Sequence, residues 1–303
     1  MKTISSSRHI YAFGPDVTAV DSIGLGEVVC FDALDALGGQ VRSETDILTG
    51  LDFNRVNPAT GPVRMEGVEP GDTLVVQVIS IDMDSQGAIV TGPGLGVLGD
   101  EIDNYATRIL PICDGEVRFG DLVLKAKPMI GVIGVASESD SFPTGTAHRH
   151  GGNMDTKEIG EGSSVYLPVF QSGAMLAMGD VHAVMGDGEV CVSGCEVAAR
   201  ITVRVDRIAG HSLKWPCVET EDAVHILVSL PSIESALVEV TRQAVALLQR
   251  VRGVSKEEAY MLTSLSVDMG ISQLVDPYKT AKASIPKSIL PEAFADSLQQ
   301  ASN

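Results

Sequence analysis

Residues 197–208 read VAARITVRVDRI. Ala199, Ile201, Val203 and Val205 fall on one parity and Arg200, Thr202, Arg204 and Asp206 on the other. That period of two belongs to an antiparallel strand with one face on a core and the other in water. Outward from it, from about residue 17 to 230, the chain is a series of short apolar runs broken by Gly, Pro, Asn and Asp, with few windows that sustain a helical period. The clearest further strands are residues 73–81 (TLVVQVISI), 131–136 (GVIGVA) and 165–170 (VYLPVF). The turns EPGD (69–72) and RFGD (118–121) each precede a strand, and a two-fold internal repeat built on them is only weakly supported.

Past residue 230 the pattern changes. Ile233, Ala236, Leu237, Val240, Ala244, Leu247, Leu248 and Val251 recur at helical spacing until Gly253. Ser255 and Glu258 form the S-x-x-E capping box of a second helix that runs to about Gly270. A short strand over residues 271–275 and a turn at Asp276-Pro277 follow, and Lys279, Lys282 and Lys287 are expected in water, with one of them able to reach a site. The expected fold is therefore mainly β with a C-terminal α+β portion. Residues 1–230 would form a β-rich catalytic region, and 231–303 a portion with a helical hairpin packed on it.

Composition narrows the function. The 22 Lys and Arg against 40 Asp and Glu give a net charge of -18, a field that repels phosphate backbones and anionic lipid. Nucleic acid and membrane are not expected as partners. The N-terminus has no apolar signal core, and no apolar run approaches the roughly 20 residues that span a bilayer. Five cysteines, an odd number, suit reduced thiols and a cytoplasmic setting.

Chemistry concentrates in two segments, 148–158 (HRHGGNMDTKE) and 179–189 (GDVHAVMGDGE). Asp180 and His182 lie two apart, so a strand would present both to one side, as a ligand pair. His150, Asn153 and Asp155 would face inward from a loop that Gly151 and Gly152 allow to run tight. A satisfied core histidine and turn aspartates are the bland alternative for either segment alone; two segments within about forty residues shift the balance toward a divalent metal. Mixed imidazole and carboxylate donors favour zinc, with calcium as the other candidate. Ser163 and Ser164 read as turn residues, and Cys191 and Cys195 as small buried hydrophobes.

Taken together, 31–40 (FDALDALGGQ), 57–72 (NPATGPVRMEGVEPGD), 131–136, 150–155 (HGGNMD), 166–170 (YLPVF), 179–189 and 285–287 (IPK) resemble the acetamidase/formamidase family in order and over nearly the whole length. The resemblance implies hydrolysis of small linear amides to acid and ammonia, a β-sandwich or barrel-like core, bound zinc or calcium, and a homodimer or higher homo-oligomer. Position by position, it implies a metal held by Asp35, His150, Asp155, Asp180 and His182. Asn153, Gln40 and Met185 would meet the substrate, and Glu189, Asp187 and Glu196 would carry or support acid/base work. Met185 stands where the family carries glutamine, and a thioether lacks the amide's hydrogen bonds. That departure keeps open a larger amide, lactam or carbamoyl substrate for a related hydrolase or deaminase. A noncatalytic metal-binding β protein is the reading from another class.

Overall fold

The strand Ala199–Ile208 lies inside a nine-stranded sheet, hydrogen-bonded to Thr73–Met83 on one side and Val28–Ala33 on the other. Ala199, Ile201, Val203 and Val205 are buried while Arg200, Arg204 and Asp206 are exposed, so the alternation read from the residues is the one the sheet uses. This computed structural model describes residues 1–290 and 294. The remaining positions at the end of the expected C-terminal portion lie outside the described residues. The sheet continues through Ser164–Pro168, Cys217–Glu219, Ala223–Leu230 and Lys279–Pro286 to an edge at Asp268–Gln273. It thus crosses residue 230 and takes in the last two strands among the described residues.

A second sheet has eleven strands. Its path runs from the hairpin Glu116–Phe119 and Leu122–Lys125 through Ala106–Cys113, Gln86–Thr91 and Glu196–Val197 to Leu176–His182, Met129–Gly134 and Gly151–Asn153, with Ala59–Met65 also paired to Leu176–His182. Both sheets are open paths, so the core is a sandwich and not a closed barrel. Between them lies the main core, where Phe31, Val76, Val203 and Val205 of one sheet join Ile130, Ile133, Met178 and Val181 of the other. Because such residues are fully buried, each contributes about 1.5–3 kcal/mol to holding the layers together.

The helices cover part of the nine-stranded sheet. α1 (Ile233–Arg252) starts at Ser232, whose hydroxyl accepts from the Ser235 N–H, and ends at Gly253 with φ 63°. α2 (Lys256–Ser266) opens with the complete capping box of Ser255 and Glu258. Ala236, Val240, Ala244, Leu247 and Leu248 pack with Val224, Ile226, Val228, Ala281, Ala283 and Ile285 in a second core. α2 stops four residues before the expected end, because residues 268–273 pair with Lys279–Pro286 as a strand; pairing overrides the local helical pattern. Among the described residues no helix is long and apolar enough to cross a membrane.

A candidate metal centre between the sheets

Leu176–His182 is buried along its whole length, and its pairing with Met129–Gly134 skips one position, where Gly131 stands opposite Asp180. Asp180 has φ 53°, a left-handed conformation that an aspartate tolerates better than most residues but still at a cost. Asp180 and His182 lie two apart on this strand, and His182 Nε2 is 3.2 Å from Asp180 Oδ1. Gly131 leaves the room. A Cβ there would lie 2.5 Å from Asp155 Oδ1 and 2.8 Å from Asp180 Oδ2.

Two further carboxylates approach the same imidazole nitrogen. Glu196 Oε2 lies 3.1 Å and Glu189 Oε1 3.9 Å from His182 Nε2. Glu196 is held through its other oxygen, which accepts from Ser193 Oγ (3.1 Å) and the Gly194 N–H (3.0 Å). Glu189 arrives on the loop 186–189, which is joined to the opposite sheet: the Gly188 N–H donates to the Ser272 carbonyl (2.8 Å), and the Leu274 N–H to the Gly188 carbonyl (3.1 Å). Asp155 and Glu189, like Asp180, have positive φ, 41° and 47°. Three of the four carboxylates therefore stand on backbone that residues with a Cβ rarely adopt, as at many functional sites.

The donor atoms form two overlapping groups, Asp155, Asp180 and His182, and His182, Glu189 and Glu196; within each, all lie within 4.8 Å of one another. Exposure is 0% for Asp155, 1% for His182, 2% for Asp180, 4% for Glu196 and 7% for Glu189. Both oxygens of Asp155 and His182 Nδ1 are buried without a hydrogen-bond partner, and Oδ1 of Asp180 and Oε2 of Glu196 have none apart from their close approach to His182 Nε2. Buried carboxylates without partners are expensive, and several around one imidazole repel each other unless protons or a cation neutralise them. The residues fit a metal ion.

The electrostatics agree with that density of acid. Burial pushes Asp155 well above the usual aspartate range, with Asp180 and Asp276 adding to it. Burial likewise raises Glu189, helped by Asp155. For Glu196, burial raises the carboxyl against the opposing pull of His182. His182 is driven the other way: burial disfavours its protonation, but Glu196 and Asp180 outweigh this and raise it well above the ordinary histidine value.

The remaining nominated residues lie around or apart from this group. Asn153 is buried, and its Nδ2 donates to Asp276 Oδ2 at 2.9 Å. Asp187 lies outside, bridged by Lys157 (2.8 Å) and Lys282 (2.8 Å). Burial raises the Asp187 carboxyl, and the bonds from both lysines more than reverse this. His150 belongs to neither donor group. It stacks on Phe142 at 5.0 Å, touches Phe13, and lines a cavity of about 70 Å³ with His148, Arg149 and Phe170. Burial, reinforced by His148, lowers it to about 3, so the imidazole is neutral at ordinary pH. Asp35 accepts from the Gly39 N–H at 3.0 Å, and burial raises its carboxyl. Gln40 spends its amide on the backbone of Leu37 and Asp52. Met185 is half-buried beside the loop that carries Glu189.

Asp276 and Ser193 carry no site expectation from the sequence, and Lys282 is among the three lysines of which one is able to reach a site. Lys282 is only 4% exposed and pairs with Glu158 as well as Asp187, so it is not the solvated lysine its neighbourhood suggests. A serine and a glycine just before Glu196 were a readable signal for the first anchor. Nothing local distinguishes Asp276 from an ordinary turn aspartate.

Comparison with known proteins points to one family. The profile of the Acetamidase/Formamidase family matches residues 6–146 and 139–292. A protein of Thermoanaerobacter tengcongensis, crystallised as a predicted acetamidase/formamidase, is 42% identical, with 95% of this chain and 96% of that one covered and a TM-score of 0.93. A crystallised acetamidase of Bacillus halodurans is 37% identical, with 94% and 97% covered and a TM-score of 0.93. The formamidase of Methylophilus methylotrophus is 26% identical over 270 residues, covering 67% of this chain and 65% of that protein. The chain spans 62–65% of the length of the curated relatives it matches.

Proposed function

This chain belongs to the acetamidase/formamidase family, and on that premise we propose that it hydrolyses the C–N bond of short linear amides to a carboxylic acid and ammonia at the His182 centre. What supports this most directly is the convergence of four carboxylates on one buried imidazole, three of them, Asp155, Asp180 and Glu196, with an oxygen that lacks a hydrogen-bond partner. Asp155, Asp180, His182 and Glu196 would hold a divalent ion, for which the mixed donors favour zinc over calcium. When bound, such an ion activates water at neutral pH and polarises the amide carbonyl.

The residues divide the rest of the work. Glu196 Oε2 and Asp180 Oδ1 are the carboxylate oxygens nearest His182 Nε2, at 3.1 and 3.2 Å, whereas Glu189 Oε1 stands back at 3.9 Å. Glu189 is therefore the carboxylate left for proton transfer: Oε1 takes a proton from the attacking water and returns it to the departing nitrogen, so that ammonia leaves neutral. Ser193 and the Gly194 N–H keep Glu196 from turning. Asp187, tied to two lysines, keeps its place at the base of the Glu189 loop.

The same reading includes a cytoplasmic homo-oligomer. Five free cysteines support a reducing compartment. Val238, Tyr260 and Leu265, exposed apolar residues on α1 and α2, support self-association. The test is ammonia release from formamide and acetamide before and after exhaustive chelation, with an anomalous-scattering map of crystals. Activity and an anomalous peak at His182 are expected, together with loss of both in His182→Ala. Glu189→Gln is expected to keep the metal and lose roughly 100- to 10,000-fold in kcat. Full turnover by the metal-free protein would refute the reading.

A further inference from the structure

The turn between Asp268–Gln273 and Lys279–Pro286 is part of the nine-stranded sheet, yet it carries Asp276 to the edge of the centre built on the other sheet. The turn is braced from within. Gln273, fully buried, accepts at Oε1 from the N–H groups of Val275 (3.0 Å) and Asp276 (3.1 Å), and donates through Nε2 to the Tyr278 carbonyl (2.6 Å) and the Thr280 hydroxyl (3.2 Å). An internal frame of this kind fixes the backbone that bears Asp276, and so the place of its carboxyl.

That carboxyl has a definite partner. Asp276 Oδ2 receives the Asn153 N–H at 2.9 Å, which commits the planar amide: its nitrogen end faces Asp276 and its carbonyl end faces elsewhere. The carbonyl end, Oδ1, is buried and has no partner. An amide oxygen removed from water without a donor is unfavourable, so the site is incomplete until something offers it an N–H or O–H. Asn153 is also two residues from Asp155, whose carboxylate belongs to the candidate donor set.

We infer that Asp276 is a positioning residue that sets the Asn153 side chain so that Oδ1 accepts an N–H from the carboxamide nitrogen of the substrate. This rests on the amidase reading and adds which end of the substrate is recognised, and by what. The nitrogen of an unsubstituted amide lies at Asn153, and an amide with no N–H leaves Oδ1 unpaired and is rejected, as sites built around a polar group reject analogues that lack its partner. Without Asp276 the Asn153 amide is free to turn over and present its N–H₂ to a group that also donates.

The experiment uses the purified full chain, steady-state ammonia release from formamide and acetamide, and elemental analysis of each variant. Asp276→Asn is expected to raise KM roughly tenfold, about the worth of one buried hydrogen bond, while kcat falls less and metal content matches the parent. The double variant Asn153→Asp with Asp276→Asn restores one carboxylate and one amide to the pair and leaves an acceptor oxygen for the substrate. It is expected to recover KM to within about threefold of the parent. A purely structural role for Asp276 gives no such rescue. An unchanged KM in Asp276→Asn, or a double variant no better than the single one, overturns the positioning role. If Asp276→Asn does not fold, Asp276→Glu decides: a carboxylate displaced by one methylene is expected to raise KM with metal content kept, and an unchanged KM overturns the role. A parent that releases no ammonia from any short amide refutes the amidase reading, and this inference with it.

Discussion

At Gly131 the structure has no space for a single methyl group, since the nearest atoms to a Cβ would be the carboxylates of Asp155 and Asp180 and the Asp180 carbonyl, all within 2.8 Å. Gly131→Ala is therefore expected to push the two carboxylates apart. Bound metal in the purified protein should fall at least severalfold and ammonia release with it, while the far-UV circular dichroism stays that of the parent. Retained metal and activity would show that the carboxylates have other room. This residue also marks how far the sequence could be read. The D-x-H spacing of Asp180 and His182 predicts that a strand presents both to one side, and on Leu176–His182 they lie 3.2 Å apart, with a left-handed aspartate opposite a glycine that the spacing does not announce. Glu189 and Glu196 were legible as carboxylates close behind His182. Asp276 was not, because more than a hundred residues separate it from Asn153 and only the packing of two sheets brings them to 2.9 Å.

Among the elements, the strands and helices with a strong local signal were readable, and their junctions were not. The parity of residues 199–208 and the caps at Ser232, Gly253 and Ser255 each fix one local geometry. The end of α2 depends on a partner strand, Lys279–Pro286, that no local window contains. That partner strand also carries Lys282, which is buried against Glu158 at 2.8 Å and Asp187 at 2.8 Å. Lys282→Met removes the cation and leaves Glu158 partly buried and alone, a change expected to cost about 3 kcal/mol in urea unfolding with an unaltered m-value. Helix α1 offers a pH test. Burial raises the Glu239 carboxyl, but the bonds from Lys214, Gln243 and Arg242 outweigh it and hold the group at about 2, below its ordinary 4.5. A folded-state value lowered in this way adds stability above about 4.5 and loses it as the pH falls toward 2. The parent should exceed Glu239→Gln by about 1 kcal/mol near neutrality, a figure discounted for the exposed Lys214 and Arg242, and the gap in melting temperature should close through that acid window.

For the whole molecule, the centre concentrates acid in a buried space, and on the metal reading a cation fills it. Asp155, Asp180, Glu189 and Glu196 share one buried space with a single imidazole, and the cost of keeping them there is borne by the fold. Removal of metal is expected to lower the melting temperature by roughly 5–10 °C, and readdition at about 100 times its dissociation constant to restore it. An identical melting curve with and without chelator would mean that the cluster is satisfied in some other way. The fold class was open to sequence reading because both sheets are built from short runs with clear turns between them. How the sheets face each other was not, because side chains such as Phe31 and Met178 meet only in three dimensions.

The two backbone bonds that join Gly188 to Ser272 and Leu274 lie across the seam between the layers, beside a centre closed to water. On the amidase reading, an amide that enters here would part that seam, and turnover would then inherit the frequency of a local opening. Deuterium uptake at the Gly188 and Leu274 amides should follow that frequency, and a covalent tether across the seam should starve an otherwise intact catalyst of its substrate.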